Sequence, residues 1–138
     1  MELPDTSLYN ETNNRYYLGT QALLEPACRV LPASAEEVSQ IVTIAAENGC
    51  KFAVASGKHW AINYGSNIGQ DGFTIDLLRL NNASISDDRK VGSLGPALRA
   101  GEVYDFFNPY EVYVGVGRDS DVGVLVLSLR YLPLPCDG

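Results

Sequence analysis

Residues 34–55 constrain the fold more tightly than any other stretch, because they describe a helix that ends and hands the chain straight to a strand. Ser34 can cap a helix, and Glu37 answers it three residues later, the pattern of a capping box. Val38, Ile41, Val42 and Ala45 fall at i, i+3, i+4 and i+7, which is a single apolar stripe. Gly49 suits the left-handed residue that closes a helix. The spacing predicts a helix over 35–48. The apolar run "KFAVA" at 51–55 follows at once and reads as a buried strand.

Around this unit the signals are shorter. "ACRVLP" reads as a short strand ending at Pro32, and "FTIDLLRL" as another. "ASISDDRKVGSLGP" reads as a hairpin turning at Asp87 and Asp88. Residues 99–107 predict a short helix with Val103, Phe106 and Phe107 inward, and "EVYVGVG" and "DVGVLVLSL" predict two further strands. Strands and helices alternate irregularly, so the expected class is α+β. Residues 1–25, polar and rich in Asn, Thr and Tyr, are expected to form a surface arm, with 26–127 as the folded unit and 128–138 as a divergent tail.

Charge and composition remove several functions. Ten Lys and Arg are outnumbered by seventeen Asp and Glu, for a net charge of −7, so a nucleic-acid partner is not expected. No apolar run reaches the roughly 18 residues of a membrane span, and the N-terminus lacks the basic and apolar regions of a signal peptide. Either the protein stays inside the cell or its true start is missing, so the compartment is left open, with the cytoplasm as the default expectation. Three cysteines without a C-x-x-C pair, and one histidine, give neither a disulfide framework nor a metal site.

That one histidine, His59, lies in the turn "ASGKHW" at the end of "KFAVA". The turn is not a Walker A loop: Phe52 stands where its first Gly belongs and His59 where Ser or Thr belongs. Nor does it carry the G-x-G-x-x-G of a dinucleotide fold. What it offers is a strand running into Ser56 and Gly57, with Gly65, Ser66 and Asn67 further along the same loop. Glycine lets the backbone approach a ligand, and consecutive N–H groups can cradle an anion.

Taken together, "EPACRVLPASAEEVSQIV", "FAVASGKH" and "GSNIGQDGFTIDLLRLNNASISDDRKVGSLGP" resemble the start of the FAD-binding domain of berberine-bridge-enzyme-like oxidoreductases. These belong to the vanillyl-alcohol-oxidase group with the PCMH-type fold, and the similarity is greatest to fungal secondary-metabolism members. The resemblance implies an incomplete α+β subdomain of that fold. It also implies an FAD-linked oxidoreductase that takes hydride from a small organic substrate and passes electrons to O₂. By the family's R-S-G-G-H turn, His59 would be the covalent tether to the flavin's methyl carbon. Ser56, Gly57, Lys58, Ser66 and Asn67 would wrap the pyrophosphate, and Gly123 would fall in the family's V-G-V-G-G segment.

The chain departs from that pattern. Ala55 replaces Arg and Lys58 replaces Gly; the lysine adds bulk to a tight turn while its charge favours phosphate. After Val122-Gly123-Val124 the family's glycine pair and triplet are missing, and a Cβ there would collide with a flavin lying against the backbone. A catalytic acid or base is not identifiable in this part of the fold. The rival expectation is a truncated, non-catalytic remnant acting as an interaction module. Half of a two-part domain would leave apolar faces uncovered, so self-association is expected.

Overall fold

The computed structural model describes residues 1–125. The predicted helix is present as Ala35–Glu47. Ser34 Oγ accepts from the Glu37 N–H at 3.2 Å, and Glu37 Oε2 accepts from the Ala33 N–H at 2.7 Å, so the box closes one residue further back than its usual form. Gly49 takes φ +63° just beyond the helix. Before it come helices Ser7–Asn13 (α1) and Gly19–Ala22 (α2), which makes Ala35–Glu47 α3.

Arg29–Val30 (β1), Lys51–Ala55 (β2) and Gly72–Asp76 (β3) form a parallel sheet in the order β1-β3-β2. The register pairs Arg29 with Thr74, Val30 with Ile75, Phe52 with Phe73, and Ala55 with Asp76. Because strand side chains alternate, one face carries Val30, Phe73, Ile75, Phe52 and Val54, and the other carries Arg29, Thr74 and Asp76. The apolar face lies under α3, where Val30, Phe73, Ile41 and Ala45 line a pocket of about 260 Å³. Cys28 and Cys50 line it too. They precede two strands separated by a third, so they stand at least ~9–10 Å apart and are offset by two residues along the strands, which is beyond disulfide reach; both are free thiols.

β2 is not the buried strand expected. It is the sheet edge, and Phe52 and Val54 are 37% and 43% exposed, with Ile44 of α3 at 60%. "FTIDLLRL" is a strand only as far as Asp76, whose carboxylate accepts from the Leu78 N–H at 3.2 Å and starts a 3₁₀ turn, Leu77–Arg79. The hairpin is present as Ala83–Ile85 (β4) and Gly92–Leu94 (β5), and Asp88 Oδ1 accepts from Ser86 Oγ and the Lys90 N–H across its turn. The helix expected at 99–107 is Ala100–Phe107 (α4). Val103 and Phe107 are buried and, with Leu98, centre a second apolar cluster under the hairpin. "EVYVGVG" pairs with no strand among the described residues: Val112, Val114 and Val116 turn onto that cluster instead. In "DVGVLVLSL" only an isolated bridge, Arg99 to Gly123, is seen before the chain turns helical at Val124; the remainder lies outside the described residues.

The polar face of the sheet is covered by residues 1–25 and the loop 56–71. The first of these is therefore a built part of the fold and not a surface arm: Tyr9, Thr12, Asn13, Tyr16 and Gln21 are all buried. At the centre the fully buried Arg29 donates to Asn67 Oδ1 at 3.0 Å, to Asp76 Oδ2 at 3.3 Å, to Tyr16 Oη at 3.3 Å and to Asn13 Oδ1. Lys58 Nζ meets the same Asp76 oxygen at 2.7 Å and donates to the Thr12 carbonyl at 2.8 Å. Tyr16 Oη donates to the Ser66 carbonyl at 2.8 Å. Burial pushes the Tyr16 phenol up to about 12, against the pull of Arg29. Burial likewise pushes the Lys58 ammonium down to about 8, and Asp76 opposes that shift only in part.

Two outcomes follow from this cluster. Arg29→Leu removes one buried partner each from Asn13, Asn67 and Asp76, which keep Asn67, Thr74 and Lys58 respectively, and is expected to lower the unfolding free energy by roughly 3–5 kcal/mol in urea titration. Lys58 binds its proton more weakly when folded than when unfolded, where its ordinary value is 10.5. Its contribution to stability therefore rises as pH climbs from about 8 towards 10.5, by up to about 1.4 kcal/mol per pH unit. Urea midpoints at pH 7.5 and 9.5 should rise more for the wild-type chain than for Lys58→Met; equal changes would contradict the assignment.

Candidate functional site

Parallel strands with a helical crossover bring their carboxyl ends to one edge, the usual place for a ligand in such sheets. Here β2 runs into Ser56-Gly57-Lys58-His59, and β3 runs into Leu77 and Leu78. Two adjoining clefts open at that edge. One, of about 30 Å³, is lined by Ser56, Lys58, Leu78 and Glu102; the other, of about 100 Å³, by Tyr17, Gly57, His59 and Asp121. Arg15 and Arg99 line both, so cationic groups gather here on a chain whose net charge is −7.

The turn is held from several sides. Ser56 Oγ donates to the Pro96 carbonyl. A Cβ at Gly57 would stand 2.4 Å from the Gly123 Cα, and one at Gly123 would stand 2.8 Å from the Gly57 Cα. The two glycines are therefore the means by which backbones 57 and 123 touch. Lys58 takes φ +59°, the left-handed region, which aims its side chain inward at Asp76. Among the described residues, the N–H groups of Gly57, Lys58 and His59 donate to no protein acceptor. Such a run of free N–H groups, next to a left-handed residue, is suited to an anion.

His59 is half-buried at the rim. Its ring stacks on Tyr17, with centroids 4.1 Å apart and an interplanar angle of 19°. Tyr17 is tied to the turn by its own N–H, which donates to the Lys58 carbonyl at 3.0 Å. His59 Nε2 lies 3.8 Å from Asp119 Oδ2. Arg99 Nη1 pairs with Asp121 Oδ1 at 3.3 Å.

Of the residues singled out from sequence, Ser56, Gly57, Lys58, His59 and Gly123 converge on this edge. Ser66 and Asn67 do not line the clefts. Ser66 Oγ and N–H both donate to Gln21 Oε1, and Asn67 is bound to Arg29, Gln21, Leu24 and Thr74, so both side chains face the buried cluster. The lysine charge, too, is committed to Asp76. Sequence reasoning missed Arg15, Tyr17, Arg99 and Asp119. None lies in the turn, and only the fold brings them to it. It also missed Arg29, although polar Arg29, Thr74 and Asp76 alternating with apolar Val30, Phe73 and Ile75 was a readable period-2 signal.

Do these residues fit a flavin dinucleotide? N–H groups that, among the described residues, donate to no protein acceptor, and two guanidiniums beside them, match the chemistry of an anionic diphosphate. The remainder of such a molecule would need surface beyond the described residues. Comparison with known proteins agrees. Residues 26–127 match a family model described as an FAD binding domain. The chain is 40% identical over 101 residues to the FAD-dependent monooxygenase yanF of Aspergillus niger, covering 73% of this chain and 17% of that protein. It is 35% identical over 123 residues to the FAD-dependent monooxygenase sdcF of Emericella nidulans, covering 88% and 25%. In structure it is similar to 6-hydroxy-D-nicotine oxidase of Arthrobacter nicotinovorans, with TM-score 0.75, 24% identity, and coverage of 88% and 26%. Wild-type BBE-like 1 of Physcomitrella patens gives TM-score 0.68 at 22% identity, with coverage of 89% and 26%. The chain thus spans about a quarter or less of the relatives it matches. With the family model covering most of its length, the chain belongs to the FAD-binding domain family.

Proposed function

We propose that this chain is the FAD-holding N-terminal part of an oxidoreductase acting on a small organic substrate of a fungal secondary-metabolite pathway, with FAD attached covalently at His59. The observation that carries the reading is the placement of the sole imidazole at the rim of a cleft also lined by Gly57, Lys58, Arg15 and Arg99, where, among the described residues, the N–H groups of Gly57, Lys58 and His59 donate to no protein acceptor. When bound, FAD supplies the electron sink, accepting hydride from a substrate C–H bond and passing the electrons to O₂.

The chain's own residues bind and orient. The N–H groups of Gly57, Lys58 and His59 would hold phosphate oxygens, with Arg15 and Arg99 adding charge. Gly57 and Gly123 hold the two backbones together behind them. Lys58 serves from behind, by fixing the turn on Asp76, and its ammonium does not point at the phosphates. Ser66 and Asn67 serve the site indirectly as well, through the Arg29 cluster that carries the loop. We take 26–127 as the subdomain, with 1–25 covering its polar sheet face and 128–138 as the tail.

The reading of the chain as a non-catalytic remnant is not favoured, since the relatives cited are flavin-dependent enzymes. The uncovered Phe52, Val54 and Ile44 surface is where we expect self-association.

Expressed with riboflavin available and precipitated in acid, the wild-type chain should give a yellow, fluorescent pellet. His59→Ala should give a colourless one at equal folded yield. A colourless pellet from folded wild-type chain would count against covalent flavin. Arg99→Ala should weaken flavin retention before precipitation by about tenfold, at ~1.5 kcal/mol for a charge-assisted contact. Light scattering should show mass rising with concentration, and Phe52→Ser should reduce that rise.

A further inference from the structure

His59 is gripped on two sides by residues that the binding of an anion does not explain. Tyr17 covers one face of the imidazole at 4.1 Å although Tyr17 itself is 66% exposed, so burial of its own surface does not account for the stack. Asp119 faces the ring edge, with Oδ2 3.8 Å from Nε2. Its other oxygen, Oδ1, accepts from the Asp121 N–H at 3.0 Å, which sets the carboxylate's orientation. The segment bearing it is pinned to the start of α4, where the Gly101 N–H donates to the Ser120 carbonyl at 3.0 Å and the Ala100 N–H to the Val122 carbonyl at 2.9 Å. The neighbouring Asp121 carboxylate is engaged with Arg99. Among the described residues, His59 Nδ1 has no hydrogen-bond partner.

We propose that Asp119 and Tyr17 are positioning residues for His59: the Asp119 carboxylate, 3.8 Å from Nε2, favours the proton on that nitrogen by its charge, Tyr17 fixes the ring plane, and Nδ1 is left as the free lone pair presented to the cleft. This rests on the reading of His59 as the attachment residue. A carboxylate near one imidazole nitrogen selects the tautomer with the proton on that side, and steadies the positive charge that grows there as the other nitrogen forms a bond. Attachment breaks one methyl C–H bond and one imidazole N–H bond and forms one C–N bond. Two electrons and two protons pass to O₂ as peroxide. The departing N–H proton is the one on Nε2, which faces Asp119.

The chain has a single histidine, so the test is direct. The ring nitrogens of the flavin-free protein give one pair of resonances in a long-range ¹H–¹⁵N spectrum. At a pH where the ring is neutral, the wild type should show a protonated Nε2 and an unprotonated Nδ1. Asp119→Asn should draw the two ¹⁵N shifts together, Asp119→Glu should restore their separation, and Tyr17→Leu should move the ring protons downfield. A wild-type proton on Nδ1, or shifts unmoved in Asp119→Asn, would overturn the proposal whether or not flavin binds. In the presence of FAD and O₂, Asp119→Asn should slow appearance of the flavin-bearing His59 peptide about tenfold by mass spectrometry, with non-covalent flavin retention unchanged. An unchanged rate would also overturn it. If the wild type takes up no flavin, the attachment reading fails, and the spectrum alone decides the roles of Asp119 and Tyr17.

Discussion

The buried meeting of Arg29, Asp76 and Lys58 organises this molecule. A parallel sheet is ordinarily apolar on both faces, yet here one face presents a guanidinium and a carboxylate with no access to water. Stripping water from such groups is unfavourable unless every neighbour contributes a partner. The neighbours are drawn from distant parts of the chain: Asn13 and Tyr16 before the first strand, Lys58 after the second, and Asn67 in the loop that leads to the third. The need to satisfy these charges is what closes the N-terminal residues and the loop 56–71 over the sheet.

The site follows from that closure. Lys58 meets Asp76 from a left-handed backbone, and in that turn, among the described residues, the N–H groups of Gly57, Lys58 and His59 donate to no protein acceptor. Tyr17 is carried to His59 because Tyr16, its neighbour, is locked to Arg29 and Ser66. Gly57 and Gly123, in backbone contact, bring the segment bearing Asp119 to the same rim. A lysine where the family usually has glycine thus has a structural use here that differs from phosphate binding: it ties the turn bearing His59 to the core.

The elements that sequence made legible were those with local physical causes. The capping box, the stripe of α3 and the stop at Gly49 are interactions within a few residues, and they appear nearly as read. The hairpin at Asp87 and Asp88 is equally local. By contrast, "EVYVGVG" has strand-like alternation but, among the described residues, no neighbouring strand to complete its ladder, and its valines serve the cluster beneath the hairpin instead. Apolar "KFAVA" lies at an edge, because burial of a strand depends on what flanks it and not on its own composition.

From the residues alone came the mixed class, the helix and its ends, the turn that carries the sole histidine, and the family to which that turn belongs. Only the folded molecule decided that Ser66 and Asn67 face a buried ion cluster, that Lys58 points inward, and that Arg15, Arg99, Tyr17 and Asp119 gather around His59. The difference is one of range. Caps, turns and periodicity are set by neighbours a few residues apart, whereas pairing buried charge joins groups up to 47 positions apart, such as Arg29 and Asp76, and no local pattern announces the partner.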